Sequence, residues 1–277
     1  MNALNRTMDR DELLTKEAAH TVDGLNTIIR DIYAKGLNIT NWFGYISDNR
    51  EEESRAGVGM NNRSPDYAPL PGAVDDGRFP WFLYWEAYAV LSAGAPISKD
   101  EVILDAGGTS SLFSSYLASL GPELHSIDIN NALIRNANGL SKGMGWNMAS
   151  HCMDMSELQF EDNCFSRAYS ICVFEHLDFE TKKRALKEIA RCLKPGGTLS
   201  ITFDYKNPAP DVFPTGPDVR PENQLSTRED IARAFLSTGD FLLRGNTDFH
   251  DNGKTYLVNR RRNNFPYTFG AIFLEKR

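Results

Sequence analysis

The stretch that decides the fold reads Val102-Ile-Leu-Asp105-Ala-Gly107-Gly108-Thr109-Ser110-Ser111. Three apolar residues that end in an acid predict a short buried strand, and the small residues after them predict a tight turn. An apolar run with helical spacing follows, so the whole segment is typical of a strand–turn–helix unit. Because Gly107 and Gly108 lack a Cβ, the backbone of such a turn can approach a ligand closely. We therefore expect the turn to line a binding site at the start of the helix.

A second apolar segment, Leu124-His-Ser-Ile127-Asp128, also ends in an acid. Asp128 follows the two glycines by about 20 residues, the separation at which a carboxylate accepts hydrogen bonds from ribose hydroxyls in nucleoside-binding α/β folds. The pattern thus predicts a cofactor that contains adenosine. A dinucleotide matches less well, because its fingerprint needs three glycines as Gly-x-Gly-x-x-Gly and this turn has only an adjacent pair.

The order of further signals resembles the class I S-adenosylmethionine-dependent methyltransferases. In that family acids end the first two strands, and another acid follows the third strand, as Asp154 does here. The fourth apolar strand runs into Glu175-His176-Leu177, a familiar ending of that strand. A helix and the turn Leu193-Lys-Pro-Gly-Gly197 then lead into a fifth strand. The resemblance covers about residues 95–277.

The fold class follows from the alternation of strands and helices. From Glu101 onward this alternation predicts a mostly parallel sheet with helices on both faces. The resemblance implies a Rossmann-like sheet of seven strands that ends in an antiparallel hairpin. Phe241-Leu-Leu243 and residues 269–274 match that terminal hairpin. We therefore predict an α/β fold of this kind, preceded by a helical N-terminal cap.

The resemblance implies S-adenosyl-L-methionine as the cofactor. Asp128 would hold the ribose, Asp154 and Met155 would lie at the adenine, Ile129 would pack on an adenine face, and Asp105 would orient the glycine turn. The predicted cofactor-binding residues are Asp105, Gly107, Gly108, Thr109, Asp128, Ile129, Asp154 and Met155.

The glycine turn departs from the family pattern. Members commonly read Asp-x-Gly-x-Gly-x-Gly, whereas Thr109 and Ser111 stand at the places of the later glycines. Both residues are small, and their hydroxyls are potential donors to the carboxylate of the cofactor. The alternative that follows from this departure is a catalytically silent scaffold that keeps the fold.

Composition excludes several classes of function. The 277 residues carry a net charge of −7 with 41% hydrophobic residues, which argues against a general nucleic-acid binder. No apolar run is long enough to cross a bilayer, and the first ten residues lack the apolar core of a signal peptide. The four cysteines have neither Cys-x-x-Cys nor metal-ligand spacing, which indicates a reducing compartment. We therefore expect a cytoplasmic protein with no membrane span and no nucleic-acid partner.

The chain divides into two parts at about residue 95. Residues 1–95 predict a helical and aromatic cap, with a helix from Asp9 to Lys35 and a second helix that begins at Pro80. Residues 96–277 form the predicted methyltransferase domain. Within it, residues 204–225 are rich in proline and predict an insertion on the substrate side. The next helix is expected to begin with a capping box, Ser226-x-x-Glu229.

Two histidines are the predicted catalytic bases. His176 follows the fourth strand, and His250 lies between two carboxylates in Asp248-Phe-His250-Asp251. Imidazole titrates near neutral pH, which suits proton removal from an alcohol. His250 is slightly preferred, because the turn around His176 resembles one that is often structural; a solvated loop remains an alternative for His250. The predicted substrate-binding residues are Asp204, Tyr205, Arg220 and Trp81.

These observations predict a methyltransferase that acts on a small molecule, at an oxygen atom of a metabolite, sugar or lipid-like intermediate. The aromatic cap favours an enclosed site over a surface for macromolecules. A base-directed nucleic-acid methyltransferase would show an Asn/Asp-Pro-Pro-Tyr/Phe motif after the fourth strand, which is not present there. An NAD-type oxidoreductase is the alternative enzyme class, although the missing third glycine and the terminal hairpin argue against it.

Overall fold

A computed structural model describes residues 4–41, 44, 46, 70, 72–74, 76, 78–206, 224–260 and 263–277, with the backbone only for 258–260 and 263–265. The strands are β1 (Arg6–Thr7), β2 (Val102–Ala106), β3 (Glu123–Asp128), β4 (Met148–Cys152), β5 (Phe165–Ile171), β6 (Leu193–Tyr205), β7 (Phe241–Leu243), β8 (Tyr256–Arg260) and β9 (Asn263–Lys276). The α-helices are α1 (Lys16–Ala34), α2 (Trp81–Ser92), α3 (Leu112–Ser119), α4 (Asn131–Met144), α5 (Phe179–Cys192) and α6 (Arg228–Phe235). Short 3₁₀ helices span Arg10–Leu14 and Phe174–His176.

The predicted mostly parallel sheet is confirmed. The strand order is β1-β9-β6-β5-β2-β3-β4, and the five strands from β6 to β4 run parallel to one another. Strand β9 runs antiparallel to β6, as expected of the terminal hairpin, and β7 and β8 also pair with β9. Seven strands thus lie side by side, and β7 and β8 pair with other parts of the long strand β9.

Helices cover both faces of the sheet, as the alternation of elements predicts. Helices α1 to α4 share one apolar core with the face that carries Tyr169, Phe269 and Phe273. Helices α5 and α6 share the other core with the opposite face, which carries Phe203 and Leu199. No described helix is both long and apolar enough to span a membrane.

The predicted N-terminal helix is interrupted at Thr15. Residues 10–14 form a 3₁₀ turn, and the Thr15 hydroxyl accepts the backbone N–H of Ala18 at 3.3 Å as the cap of α1. A threonine in extended conformation stabilises a new helix start, so one apolar stripe is divided between two helices. Gly36, with φ of +70°, ends α1 as expected.

The capping box of α6 lies one residue later than predicted. The Thr227 hydroxyl accepts the N–H of Asp230 at 3.0 Å, and the Asp230 carboxylate accepts the N–H of Thr227 at 3.0 Å. Asp230 also accepts the N–H of Ser226 at 3.1 Å, so Ser226 is bonded to the box without being its cap. The prediction chose the wrong one of two adjacent hydroxyl residues, because either one is followed by an acid three residues later.

The first described residues join the edge of the sheet. β1 pairs antiparallel with β9, and its other side bonds to the backbone of His250. Asn5 is fully buried and donates to the carbonyls of Arg244 and Asn246, while its side-chain oxygen accepts the N–H of Phe273 at 2.8 Å. The N-terminal segment therefore shares both the sheet and its core, and the domain boundary near residue 95 stays a prediction.

Candidate functional site

The glycine turn after β2 is packed so closely that a side chain would not fit. Gly107 has φ of +88°, and a Cβ there would lie 2.7 Å from Cγ1 of Val173. A Cβ on Gly108 would lie 2.5 Å from the Asp105 carboxylate. The turn is therefore a smooth backbone surface that faces the segment after β5.

Asp105 ends β2 inside the protein. Its carboxylate accepts hydrogen bonds from the hydroxyls of Ser114 and Ser126, while its Oδ1 atom is buried without a partner. Burial away from water raises the pKa of Asp105 to about 6. These contacts connect β2, the start of α3 and β3, so the side chain fixes the turn between them.

Two hydroxyls of the turn are used within the fold. The Thr109 hydroxyl lies 2.6 Å from the Ser126 hydroxyl, and the Ser111 hydroxyl accepts the N–H of Ser114 at 3.1 Å as the cap of α3. Both side chains therefore hold the turn from inside, in the places where the family commonly has glycine. Because the Thr109 hydroxyl is already bonded to Ser126, Thr109 would have to contact the cofactor through its backbone. This role stays a prediction.

The other predicted cofactor residues lie at the ends of β3 and β4, next to the turn. Asp128 is half-buried and accepts the N–H of Asn130 at 2.7 Å; burial raises its pKa. Ile129 is 76% exposed, which is unusual for a large apolar side chain and suits a surface that a ligand covers. Asp154 is exposed, while Met155 is buried against the turn, with its Cε 3.2 Å from the position of a Cβ on Gly107.

A cluster of acids and one thiol, partly or fully buried, lies at the carboxyl ends of β5 and β6. The ligand atoms of Cys172, Glu175 and Asp204 all lie within 4.8 Å of one another. Glu86 reaches this group from α2, and its Oε1 accepts from the Cys172 thiol at 2.6 Å and from the Thr202 hydroxyl at 2.7 Å. We call Glu86, Cys172, Glu175 and Asp204 the acid cluster.

Burial controls the protonation of the acid cluster. Burial, together with the charges of Glu175 and Asp204, raises the pKa of Glu86 to about 8, although the hydrogen bonds from Cys172 and Thr202 oppose the rise. Burial and the charge of Asp204 raise the pKa of Glu175 to about 7. Burial also raises the pKa of the Cys172 thiol well above its usual value. Glu86 and the Cys172 thiol therefore keep their protons at neutral pH, where Glu175 titrates.

Sequence reasoning did not identify Glu86 or Cys172 as site residues. The available signal was that Glu86 is the only charged residue in the apolar helix Trp81–Ser92. A charge in such a helix needs a buried polar partner. The left-handed backbone of Cys172, with φ of +50°, had no signal in the sequence.

The two predicted bases lie at different distances from the acid cluster. His176 is exposed but neighbours Glu175, and its charge lowers the pKa of that acid. His250 is exposed, and its backbone bonds to Thr7 of β1. Since β1 and β9 lie between His250 and β6, three strand spacings separate its backbone from β6, roughly 14 Å.

The predicted substrate residues are also separated. Asp204 belongs to the acid cluster, and Tyr267 is hydrogen-bonded to it. Tyr205 points to the opposite face, where its ring lies 5.1 Å from that of Phe249. Trp81 is buried at the start of α2, with its ring 4.9 Å from that of Tyr256. Arg220 lies outside the described residues.

The chain is similar to known methyltransferases in sequence. Residues 104–201 match the model of a methyltransferase domain. The chain is 31% identical over 166 residues to the ubiquinone/menaquinone biosynthesis C-methyltransferase UbiE of Neisseria meningitidis serogroup C, covering 57% of this chain and 64% of that protein. It is 27% identical over 168 residues to UbiE of Nitrosospira multiformis, covering 58% and 65%. The chain thus spans slightly less than two thirds of the length of these relatives.

Solved structures agree on the fold. A SAM-dependent methyltransferase of Methanosarcina mazei matches with a TM-score of 0.50 at 22% identity, over 65% of this chain and 94% of that chain. Geranyl diphosphate C-methyltransferase of Streptomyces coelicolor A3(2), solved with S-adenosyl-L-homocysteine, matches with a TM-score of 0.50 at 14% identity, over 68% and 78%.

Proposed function

We propose that this chain, whose residues 104–201 match a methyltransferase domain, is a class I S-adenosylmethionine-dependent methyltransferase that transfers a methyl group to a small-molecule acceptor. One observation carries the proposal: the side-chain-free turn at Gly107 faces Val173, the residue that follows Cys172 of the acid cluster. The predicted cofactor site and the acid cluster therefore share one edge of the sheet. In open α/β sheets this edge, at the carboxyl ends of the strands, is where ligands bind.

The residues of this edge fit S-adenosyl-L-methionine. We propose that Asp128 holds the ribose hydroxyls, that Ile129 and Met155 flank the adenine and that Asp154 bonds to its amino group. The exposure of Ile129 supports this assignment, since it leaves an apolar surface for a flat ligand. When bound, the cofactor supplies a methyl group that is already activated by its sulfonium.

The chain itself has to align the acceptor and exclude water. The acceptor would lie beyond Val173, at the ends of β5 and β6, with Asp204 as a partner for its polar group. For an acceptor alcohol we propose His176 as the base in preference to His250. This preference rests on position, because His176 neighbours Glu175 whereas His250 bonds to the outer side of β1.

The acceptor atom is the finer part of the proposal. We propose a hydroxyl oxygen, since a histidine base suits proton removal from an O–H group. Methylation at carbon is the second candidate, and the names of the curated relatives favour it. A ring carbon beside a hydroxyl would be activated by loss of the same proton.

Two measurements test the proposal. Calorimetry with S-adenosyl-L-homocysteine should give saturable binding, and the bound product should raise the melting temperature. Incubation with cofactor labelled in its methyl group, together with a panel of phenols, sugars and lipid-like alcohols, should move the label to an acceptor. The NMR shift of the labelled methyl then separates oxygen from carbon. Absence of both binding and transfer would contradict the proposed function.

A further inference from the structure

The acid cluster has a set of donor atoms that few protein interiors tolerate. A thiol and two carboxylates, from Cys172, Glu175 and Asp204, have ligand atoms within 4.8 Å of one another. They come from the ends of two adjacent strands, so the framework of the sheet fixes their spacing. Mutual repulsion of these groups in a buried place costs free energy unless a proton or a cation compensates for it.

Two carboxylate oxygens in the cluster are buried without any partner. Glu86 is 1% exposed and Glu175 is 5% exposed, yet Oε2 of each accepts no hydrogen bond. The Oε1 atom of Glu86 contacts the Cys172 thiol, so this carboxylate faces the cluster from the α2 side. An unpartnered carboxylate oxygen in so buried a place needs a positive partner, which is either a proton or a cation.

The surrounding cations do not fill this role. Among the described residues, the donors to Glu86 are the Cys172 thiol and the Thr202 hydroxyl, and the donor to Glu175 is the N–H of Asp204 at 3.3 Å. Lys182 is close enough to influence Glu175, but its ammonium donates to the carbonyl of Leu177. His176 is exposed beside Glu175. No ammonium or guanidinium therefore donates to the two glutamates in this part of the chain.

We propose that Cys172, Glu175 and Asp204 bind a divalent transition-metal ion, with Zn²⁺ as the ion that fits this donor set best. A thiolate ligand selects Zn²⁺ and its neighbours over Mg²⁺ and Ca²⁺, which prefer oxygen ligands alone. Three protein ligands leave the fourth position of a tetrahedral site open, as in catalytic zinc sites. Glu86 lies next to the site, and its protonated carboxyl can donate a hydrogen bond to the Cys172 thiolate. Binding releases the Cys172 proton to solvent, since the ligand is the thiolate.

The position of the ion deepens the proposed function and rests on it. Val173 separates Cys172 from the glycine turn, so the open position would lie beside the methyl donor. An acceptor that presents an oxygen or sulfur atom could complete the coordination and be held in line for transfer. The substrate class implied is a hydroxylated or thiol-bearing small molecule.

The test uses Co²⁺ alone, because a cobalt–thiolate bond gives a near-ultraviolet charge-transfer band. Titration of the whole, metal-free chain should produce the band with one ion per chain, and Zn²⁺ should remove it. Cys172→Ser should abolish the band. Cys152→Ser is the matched control, since Cys152 is exposed and outside the cluster, and it should leave the band unchanged. Glu86→Ala, which removes the hydrogen-bond partner of the sulfur, should weaken Co²⁺ binding by roughly 10–100-fold, the usual loss when a group that orients a ligand is removed.

Each outcome decides the proposal. No band, or a band that survives Cys172→Ser, would overturn the metal site. Circular dichroism checks the fold of each variant. If Cys172→Ser fails to fold, Glu175→Gln and Asp204→Asn, which keep the thiol, should each weaken Co²⁺ binding, and unchanged binding in both variants would overturn the site. Calorimetry with S-adenosyl-L-homocysteine separates the two proposals. Product binding without a cobalt band removes the metal site alone, whereas a band without product binding removes the methyltransferase function and keeps the metal site.

Discussion

Asp105 and Asp128 end neighbouring strands, but their surroundings give them different tasks. Asp105 is fully buried and bonded to hydroxyls of α3 and β3. Asp128 is half-buried, and its carboxylate lies at the edge where the cofactor is proposed to bind. Substitutions at these two positions should therefore separate stability from binding.

Asp128→Ala should weaken the binding of S-adenosyl-L-homocysteine about tenfold or more, because charge-assisted hydrogen bonds to the ribose are lost. Isothermal calorimetry measures the change. The control is Asp100→Ala, at an exposed acid just before β2, which should bind normally. Unchanged affinity in a folded Asp128 variant would mean that the ribose contact lies elsewhere.

Asp105→Asn should change how stability depends on pH. The folded state raises the pKa of Asp105 from 3.8 to about 6, so it favours the protonated carboxyl. The stabilisation is complete below about pH 4 and is lost as the pH rises through 6. The asparagine variant does not titrate and lacks this loss. The difference in free energy of unfolding, variant minus parent, should therefore rise by up to about 3 kcal/mol between pH 4 and pH 7. Urea titrations across this range measure it, and two parallel curves would be the contrary result.

His176→Gln should lower turnover by roughly a hundredfold or more if the acceptor is an alcohol, because proton removal is lost. Binding of S-adenosyl-L-homocysteine should not change, since the side chain is not among the proposed cofactor contacts. His250→Gln is the comparison, and near-normal turnover is expected for it. A large loss in His250→Gln alone would reverse the assignment of the base.

At the scale of elements, the turn between β2 and α3 depends on one glycine. Gly107→Ala should destabilise the protein by roughly 1–2 kcal/mol from its left-handed backbone alone, and the clash with Val173 should add to this. Product binding should fall as well. Gly139→Ala in α4 is the matched control, because a Cβ there meets nothing within 4 Å. It should stabilise the helix by roughly 0.5–1 kcal/mol. Equal melting temperatures for the two variants would contradict the role of the turn.

The sequence predicts elements well where one pattern repeats along a segment. The strand–turn–helix at Asp105 follows from local residues alone. Two-residue β1 is too short to show a period, so no local pattern could predict it. The acid cluster escaped prediction for a different reason. Glu86 lies almost 90 residues before Cys172, and only the packing of α2 on the sheet brings them together.

At the scale of the whole molecule, we expect that residues 1–95 cover one face of the sheet and that the protein needs them for turnover. A chain that begins near Ala95 lacks α1, α2 and β1, which exposes the face of β9 that carries Phe269 and Phe273. We expect increased binding of a hydrophobic dye and a loss of turnover that exceeds the loss of cofactor binding, because Glu86 is removed while Asp128 remains. Full activity of the shortened chain would contradict this expectation.

The hydrogen bonds of Asn5 also determine which part of the sheet can fold last. Its side chain is satisfied by Arg244, Asn246 and Phe273, all more than 230 residues further along the chain. During synthesis, Asn5 leaves the ribosome before these three partners, and its side chain cannot be satisfied by them until they emerge. The parallel strands can associate earlier, but the outer edge of the sheet can close only at the last stage of folding, since such distant contacts form slowly. The opening residues should thus remain accessible to proteases and chaperones on the nascent chain, and become protected only when β9 is complete.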